Sequence, residues 1–129
     1  HFKVFNDRYG HKCGDLVLQA LADTLVEHAR RSDVVCRYGG EEFVVLMPGA
    51  TLEVARERAE SWRRLFETHI VLYNGQELRA TFSVGVACYP QHATNSEALL
   101  QAADAAMYQS KINGRNQLTV FEPGHHIIS

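Results

Sequence analysis

At 129 residues the chain is long enough for one domain with its own core and too short for two, and 46% hydrophobic with 22% charged residues is the composition of a soluble globular fold. A formal charge of -2 without a basic run excludes nucleic acid as the main partner, because phosphate-backbone binding needs clustered Lys and Arg. No signal peptide and no run of 18 apolar residues is present, so the stretch reads as cytoplasmic, with any membrane attachment left to a parent protein.

The start, His1 to Asp7, carries no methionine and looks like the end of a strand followed by a loop, which suggests a fragment of a longer protein. From Asp15 to about Arg30, Val17, Leu18, Leu21, Ala22, Leu25 and Ala29 recur at helical spacing, with Asp23 and Glu27 pointing outward. Asp15 follows Gly14 and precedes the apolar run, a place that suits a helix N-cap. The helix closes on Arg30-Arg31-Ser32-Asp33, where basic side chains suit the dipole. The three cysteines, Cys13, Cys36 and Cys88, have no metal spacing and read as reduced thiols, Cys36 and Cys88 packed in strands.

Val34-Val35-Cys36 begins a strand that runs into Arg37-Tyr38-Gly39-Gly40-Glu41-Glu42, and a second strand is apolar from Phe43 to Met47. The Gly39-Gly40 pair tolerates the positive φ angles of a tight hairpin turn. Side chains alternate along a strand, so Glu41 and Glu42 cannot both be buried by it. Adjacent acids beside bare glycine backbone suit a polyphosphate and its magnesium ions, which take carboxylate oxygens together with substrate phosphates. An ordinary solvated hairpin has the same turn chemistry.

Beyond Pro48-Gly49 a helix runs from Thr51, a plausible N-cap, to about His69. Val54, Ala55, Ala59, Trp62, Leu65, Phe66 and Ile70 form its buried stripe, and Glu53, Arg56, Glu57, Arg58, Glu60, Arg63 and Arg64 its solvated face. Val71 to Tyr73, Asn74-Gly75, and Gln76 to Tyr89 give a hairpin with a long second strand. One face of that strand holds Leu78, Ala80, Phe82, Val84, Val86 and Cys88. The other, Thr81, Ser83, Gly85 and Ala87, is made of small residues, so a helix should pack close to it. Thr94-Asn95-Ser96-Glu97 reads as a capping box opening a third helix that ends near Asn113-Gly114, with Leu99, Leu100, Ala103, Ala106 and Met107 inward. A last strand spans Gln117 to Phe121, and His125-His126 read as a frayed, solvated end.

Gly39-Gly40-Glu41-Glu42-Phe43 resembles the signature of the GGDEF family, the bacterial diguanylate cyclases, in its GGEEF form. At average residue frequencies such a pentapeptide arises by chance roughly once in a million positions. The segments Asn6 to Asp15, Arg30 to Asp33 and Lys111 to Arg115 resemble further family motifs, in the family's order along essentially the whole chain. The resemblance implies a ferredoxin-like α+β sandwich over residues 1–129, a mostly antiparallel central sheet flanked by helices, similar to nucleotidyl cyclase and polymerase palm domains. It also implies a metal-binding aspartate ahead of His1, and hence weak or no turnover by residues 1–129 alone.

The implied reaction joins two GTP molecules into cyclic di-GMP with release of pyrophosphate, each GTP on one domain of a homodimer. Glu41 and Glu42 would hold Mg2+ or Mn2+ and carry the catalysis, and Gly39 and Gly40 would let backbone approach the phosphates. Phe2 and Lys3 match positions whose amides near the triphosphate, Asn6 and Asp15 the pair that reads guanine, and Lys111 and Arg115 the pair that neutralises the terminal phosphates. Arg30 and Asp33 form the Arg-x-x-Asp of a product-inhibition site, which an arginine of the second helix could complete from a neighbouring domain. Thr81 to Ala87 looks like the family's central strand. A sensory or receiver domain is implied in the parent protein. The alternative reading is a non-catalytic module that senses GTP or cyclic di-GMP.

Overall fold

Two antiparallel hairpins, a strand-helix-strand crossover and the helices between them make up the described chain, residues 7–39 and 42–122 of a computed structural model. The order is α1 (His11–Glu27), β1 (Val34–Gly39), β2 (Glu42–Leu46), α2 (Leu52–Thr68), β3 (Val71–Tyr73), β4 (Gln76–Leu78), β5 (Val84–Val86), α3 (Ser96–Ile112) and β6 (Leu118–Val120). The architecture is α+β, as expected, and among the described residues two of the three strand pairs are antiparallel. The chain divides into two units, residues 1–49 with 64–81 and residues 50–63 with 82–129.

In the first unit α1 starts at His11, four residues ahead of Asp15, because Gly10 at φ 92 turns the chain into the helix. Asp15 is therefore an exposed residue inside the helix, and the N-cap alternative is corrected. Cys13, Val17, Leu21 and Leu25 recur every four residues and are buried, each aliphatic side chain contributing about 1.5–3 kcal/mol relative to exposure. The helix stops at Glu27 with His28 as C-cap, so Arg30 to Asp33 form a separate turn and not the helix end the sequence suggests. β1 and β2 pair from Val34↔Leu46 to Gly39↔Glu42, and Cys36 in β1 is exposed, contrary to expectation.

The β3–β4 hairpin turns through Asn74 and Gly75 at φ 49 and 78, the two positive angles that an Asn-Gly loop supplies at low steric cost. The long strand expected from Gln76 to Tyr89 is two short ones, and residues 79–83 join no ladder among the described residues. The alternation still governs burial, with Leu78 buried before the break, Ala80 within it, and Val86 and Cys88 after it.

α2 opens as expected on Thr51, whose Oγ1 accepts from Val54 N at 3.2 Å. Its buried stripe is narrower than the sequence suggests: Ala59, Trp62 and Phe66 are buried, whereas Val54, Leu65 and Ile70, beyond the helix end, are exposed.

In the second unit β5 and β6 run parallel, Val84↔Leu118 to Val86↔Val120, joined by α3 as the crossover a parallel pair requires. α3 lies on the small face of β5, as expected: a Cβ built on Gly85 would fall 2.1 Å from Ala103 O and 2.2 Å from Met107 N. Ser110, fully buried on α3, donates its Oγ–H to Val84 O at 2.9 Å and accepts from Thr119 Oγ1 at 2.6 Å, tying helix to both strands. The cap of α3 is Asn95, not Thr94. Asn95 Oδ1 accepts from Ala98 N at 2.8 Å, and because Ala98 has no side chain to return the bond, a single cap replaces the box expected between Thr94 and Glu97.

Candidate active site

The site expectations fall on both units, and Phe2, Lys3, Asn6, Gly40 and Glu41 lie outside the described residues. In the first unit the β1–β2 ladder pairs Arg37 with Phe43 and then Gly39 with Glu42. Tyr38 is the extra residue of a bulge, the irregularity that re-aims strand ends beside functional sites. Gly39 does not take a positive φ, so this glycine is not required by turn geometry. A Cβ on it would meet nothing within 4 Å, and the backbone there borders open space. Glu42, half-buried, therefore begins β2 directly across from an unobstructed stretch of main chain.

Asp15 projects from α1 into solvent. The Arg30 turn is closed by four bonds: Asp33 N donates to Arg30 O at 3.0 Å, Arg30 N to Asp33 Oδ2 at 2.7 Å, and Arg30 Nη2 and Nε to Asp33 Oδ1 at 3.2 and 3.4 Å. Arg30 Nη2 also reaches Pro48 O at 3.5 Å, next to the exit of β2. The Arg30 side chain is 43% exposed while that of Asp33 is wholly covered.

In the second unit Lys111 occupies the last turn of α3 and Arg115 the loop just after it. Asn113 is the C-cap, Gly114 takes φ 114, and Arg115 N donates to Ser110 O at 2.9 Å, the six-to-one bond of a Schellman ending. The left-handed backbone continues through Arg115 (φ 62), at a cost of roughly 1–2 kcal/mol, and Asn116 (φ 47), a residue type that takes this conformation more readily. Gln117 Nε2 donates to Asn113 O at 2.8 Å and Arg115 O at 3.2 Å, bracing the loop from its far side. From α2, Arg63 Nη1 donates to Asn116 Oδ1 at 2.8 Å and Asn116 O at 3.3 Å. Among the described residues no group of three or more His, Cys, Asp or Glu is placed to hold a metal ion.

Residues 1–117 match the family described as "Diguanylate cyclase, GGDEF domain". The chain belongs to the GGDEF family. It is 38% identical over 119 residues to diguanylate cyclase A of Treponema denticola, covering 92% of this chain and 32% of that protein. It is 43% identical over 117 residues to the response regulator PleD of Caulobacter vibrioides, covering 89% of this chain and 26% of that one. The chain thus spans about a third or less of the length of these curated relatives. Among solved structures, the GGDEF domain of DgcB from Caulobacter crescentus in complex with c-di-GMP superposes with a TM-score of 0.85 at 32% identity, covering 93% of this chain and 71% of that one.

In this GGDEF chain the residue that sequence reasoning undervalues is Arg63. Its place on the charged side of α2 reads as solvated surface, yet its side chain is only 13% exposed and bridges 53 positions to Asn116. The available signal was the acid three residues earlier, Glu60, which accepts from Arg63 Nε at 2.9 Å and fixes the guanidinium plane. Among the described residues, no helix of the GGDEF chain is long and apolar enough to cross a membrane.

Proposed function

We propose that residues 1–129 contribute to a GGDEF domain of the full-length protein that condenses two GTP into cyclic di-GMP and pyrophosphate when two such domains face each other. Each 3'-oxygen forms a bond to the α-phosphorus of the opposing nucleotide, the bond from that phosphorus to the bridging oxygen breaks, and pyrophosphate leaves with the electron pair. Glu41 receives the hydroxyl proton, and Glu42 supports the same acidic end of the hairpin. Asp15 and Asn6 hold the guanine edge, since a carboxylate and an amide carbonyl accept from its donors, whereas adenine would leave Asp15 unsatisfied. Phe2 and Lys3 contribute backbone amides, and Lys111 and Arg115 neutralise the outgoing phosphates.

The donor set fits Mg2+ or Mn2+: Glu42 offers a hard carboxylate beside the open backbone of Gly39, and such ions take one or two carboxylates plus substrate phosphates. When bound, the metal stabilises charge on the attacking and leaving oxygens. Positioning by the chain supplies most of the rest.

Cyclic di-GMP returns to Arg30 and Asp33, where a guanidinium suits phosphate or a guanine face. A sensory or receiver domain elsewhere in the protein would bring the two GGDEF domains together.

The observation that carries this reading is the pairing of Gly39 with Glu42 in a chain of the GGDEF family. Incubation of the full-length protein with GTP and Mg2+, followed by chromatography, should yield cyclic di-GMP, and Glu41→Ala should abolish it while leaving product binding at Arg30 intact. Bound GTP or cyclic di-GMP without any product at high protein concentration would select the sensing reading instead.

A further inference from the structure

We propose that Arg63 is a positioning residue for Arg115, acting through Asn116 to set where the phosphate-facing charge stands. The proposal rests on the reading of Arg115 as a contact to the terminal phosphates of GTP. Three successive residues after α3, Gly114, Arg115 and Asn116, take positive φ, a conformation that Arg115 holds only when its surroundings impose it. The Schellman bond fixes the near side of this loop and Gln117 fixes Asn113 and Arg115 by their carbonyls. Asn116 is held by Arg63, through both its side-chain and its backbone oxygen.

Arg63 is suited to hold and unsuited to bind. One edge of its guanidinium is taken by Glu60, with Nε donating at 2.9 and 3.2 Å and Nη2 also donating to Oε1. Nη1 is directed at Asn116. Its charge is neutralised locally by Glu60 and its side chain is largely covered, so it acts on the nucleotide only through the loop. The planar fork also makes the contact specific to arginine, since a lysine ammonium cannot span Glu60 and Asn116 in one plane.

The test compares GTP with GMP, which lacks the terminal phosphates, by calorimetric titration of the full-length protein with Mg2+. Arg115→Ala should lower the ratio of GTP to GMP affinity by about 10-fold or more, as loss of a charge-assisted bond does. Arg63→Gln, confirmed folded by its thermal melt, should lower the same ratio by about 10-fold with GMP affinity unchanged, and Arg63→Lys should not restore it. In the double variant Arg63→Gln with Arg115→Ala the ratio should fall no further than in Arg115→Ala alone. Should Arg63→Gln fail to fold, Asn116→Gly serves, since it permits the positive φ and removes the Oδ1 acceptor, and it should also lower the ratio. A wild-type ratio in folded Arg63→Gln or in Asn116→Gly, with Arg115→Ala impaired, overturns the positioning role and leaves the phosphate contact standing. An unchanged ratio in Arg115→Ala overturns the phosphate contact itself, and the positioning role with it.

Discussion

The carboxylate of Asp33 accepts both the backbone amide of Arg30, at 2.7 Å, and its guanidinium, at 3.2 Å. The Arg-x-x-Asp segment is thus a closed turn in its own right, and the product binding proposed there would have to share or displace an internal ion pair. Arg30→Ala is expected to raise the cyclic di-GMP concentration for half inhibition at least about 10-fold, because a charged hydrogen-bond donor is lost. The uninhibited rate should stay within about twofold. Unaltered inhibition in initial-rate measurements would remove the site from Arg30.

Asp15 caps no helix and projects into solvent from inside α1, so its substitution separates recognition from folding. Asp15→Ala is expected to change unfolding free energy by no more than about 0.5 kcal/mol. The preference for GTP over ATP should drop at least about 10-fold in competition titrations, since the proposed function gives Asp15 the rejection of adenine. An equal loss of both nucleotides would contradict the assignment.

Gly85 is required by packing. An added methyl would lie 2.1 Å from one backbone atom of α3 and 2.2 Å from another, and neither can move without shifting the helix. Gly85→Ala should destabilise the fold by about 3 kcal/mol in urea denaturation. Ser110→Ala, which leaves Val84 O and Thr119 Oγ1 short of a bond, should cost about 1–2 kcal/mol.

Burial raises the Cys13 thiol above its ordinary value of 9.0. Because the folded value is the higher one, the native state keeps its proton after the unfolded chain has lost it. The contribution is complete below pH 9.0 and is lost as pH rises from there through the folded value, at no more than about 1.4 kcal/mol per pH unit. Urea midpoints of wild type and Cys13→Ala across that range should show the slope only in wild type. At neutral pH, iodoacetamide should label exposed Cys36 well before buried Cys13 and Cys88, as read by mass spectrometry.

Much of the fold was legible because its causes are local. The four-residue recurrence from Val17 to Leu25, the Asn74-Gly75 turn and the small face around Gly85 each state their structure within a few positions. Boundaries were less legible. Gly10 starts α1 by a positive φ that no cap pattern announces, and Asn95 displaces Thr94 although either oxygen could cap. The strand expected through residues 79–83 has the alternation but not the ladder, because alternation records burial and a strand also needs a neighbour. In the site, acids and glycines at a turn advertise their chemistry. Arg63 does not, because its importance comes from Asn116, far along the chain and in no periodic relation to it.

The most direct test of the account is paramagnetic broadening of amide resonances by Mn2+ added with GTP. Broadening centred on residues 39–43 is the expected result, because the proposed function brings metal and triphosphate to the acidic residues there. Broadening centred elsewhere, or none at saturating nucleotide, would contradict the account.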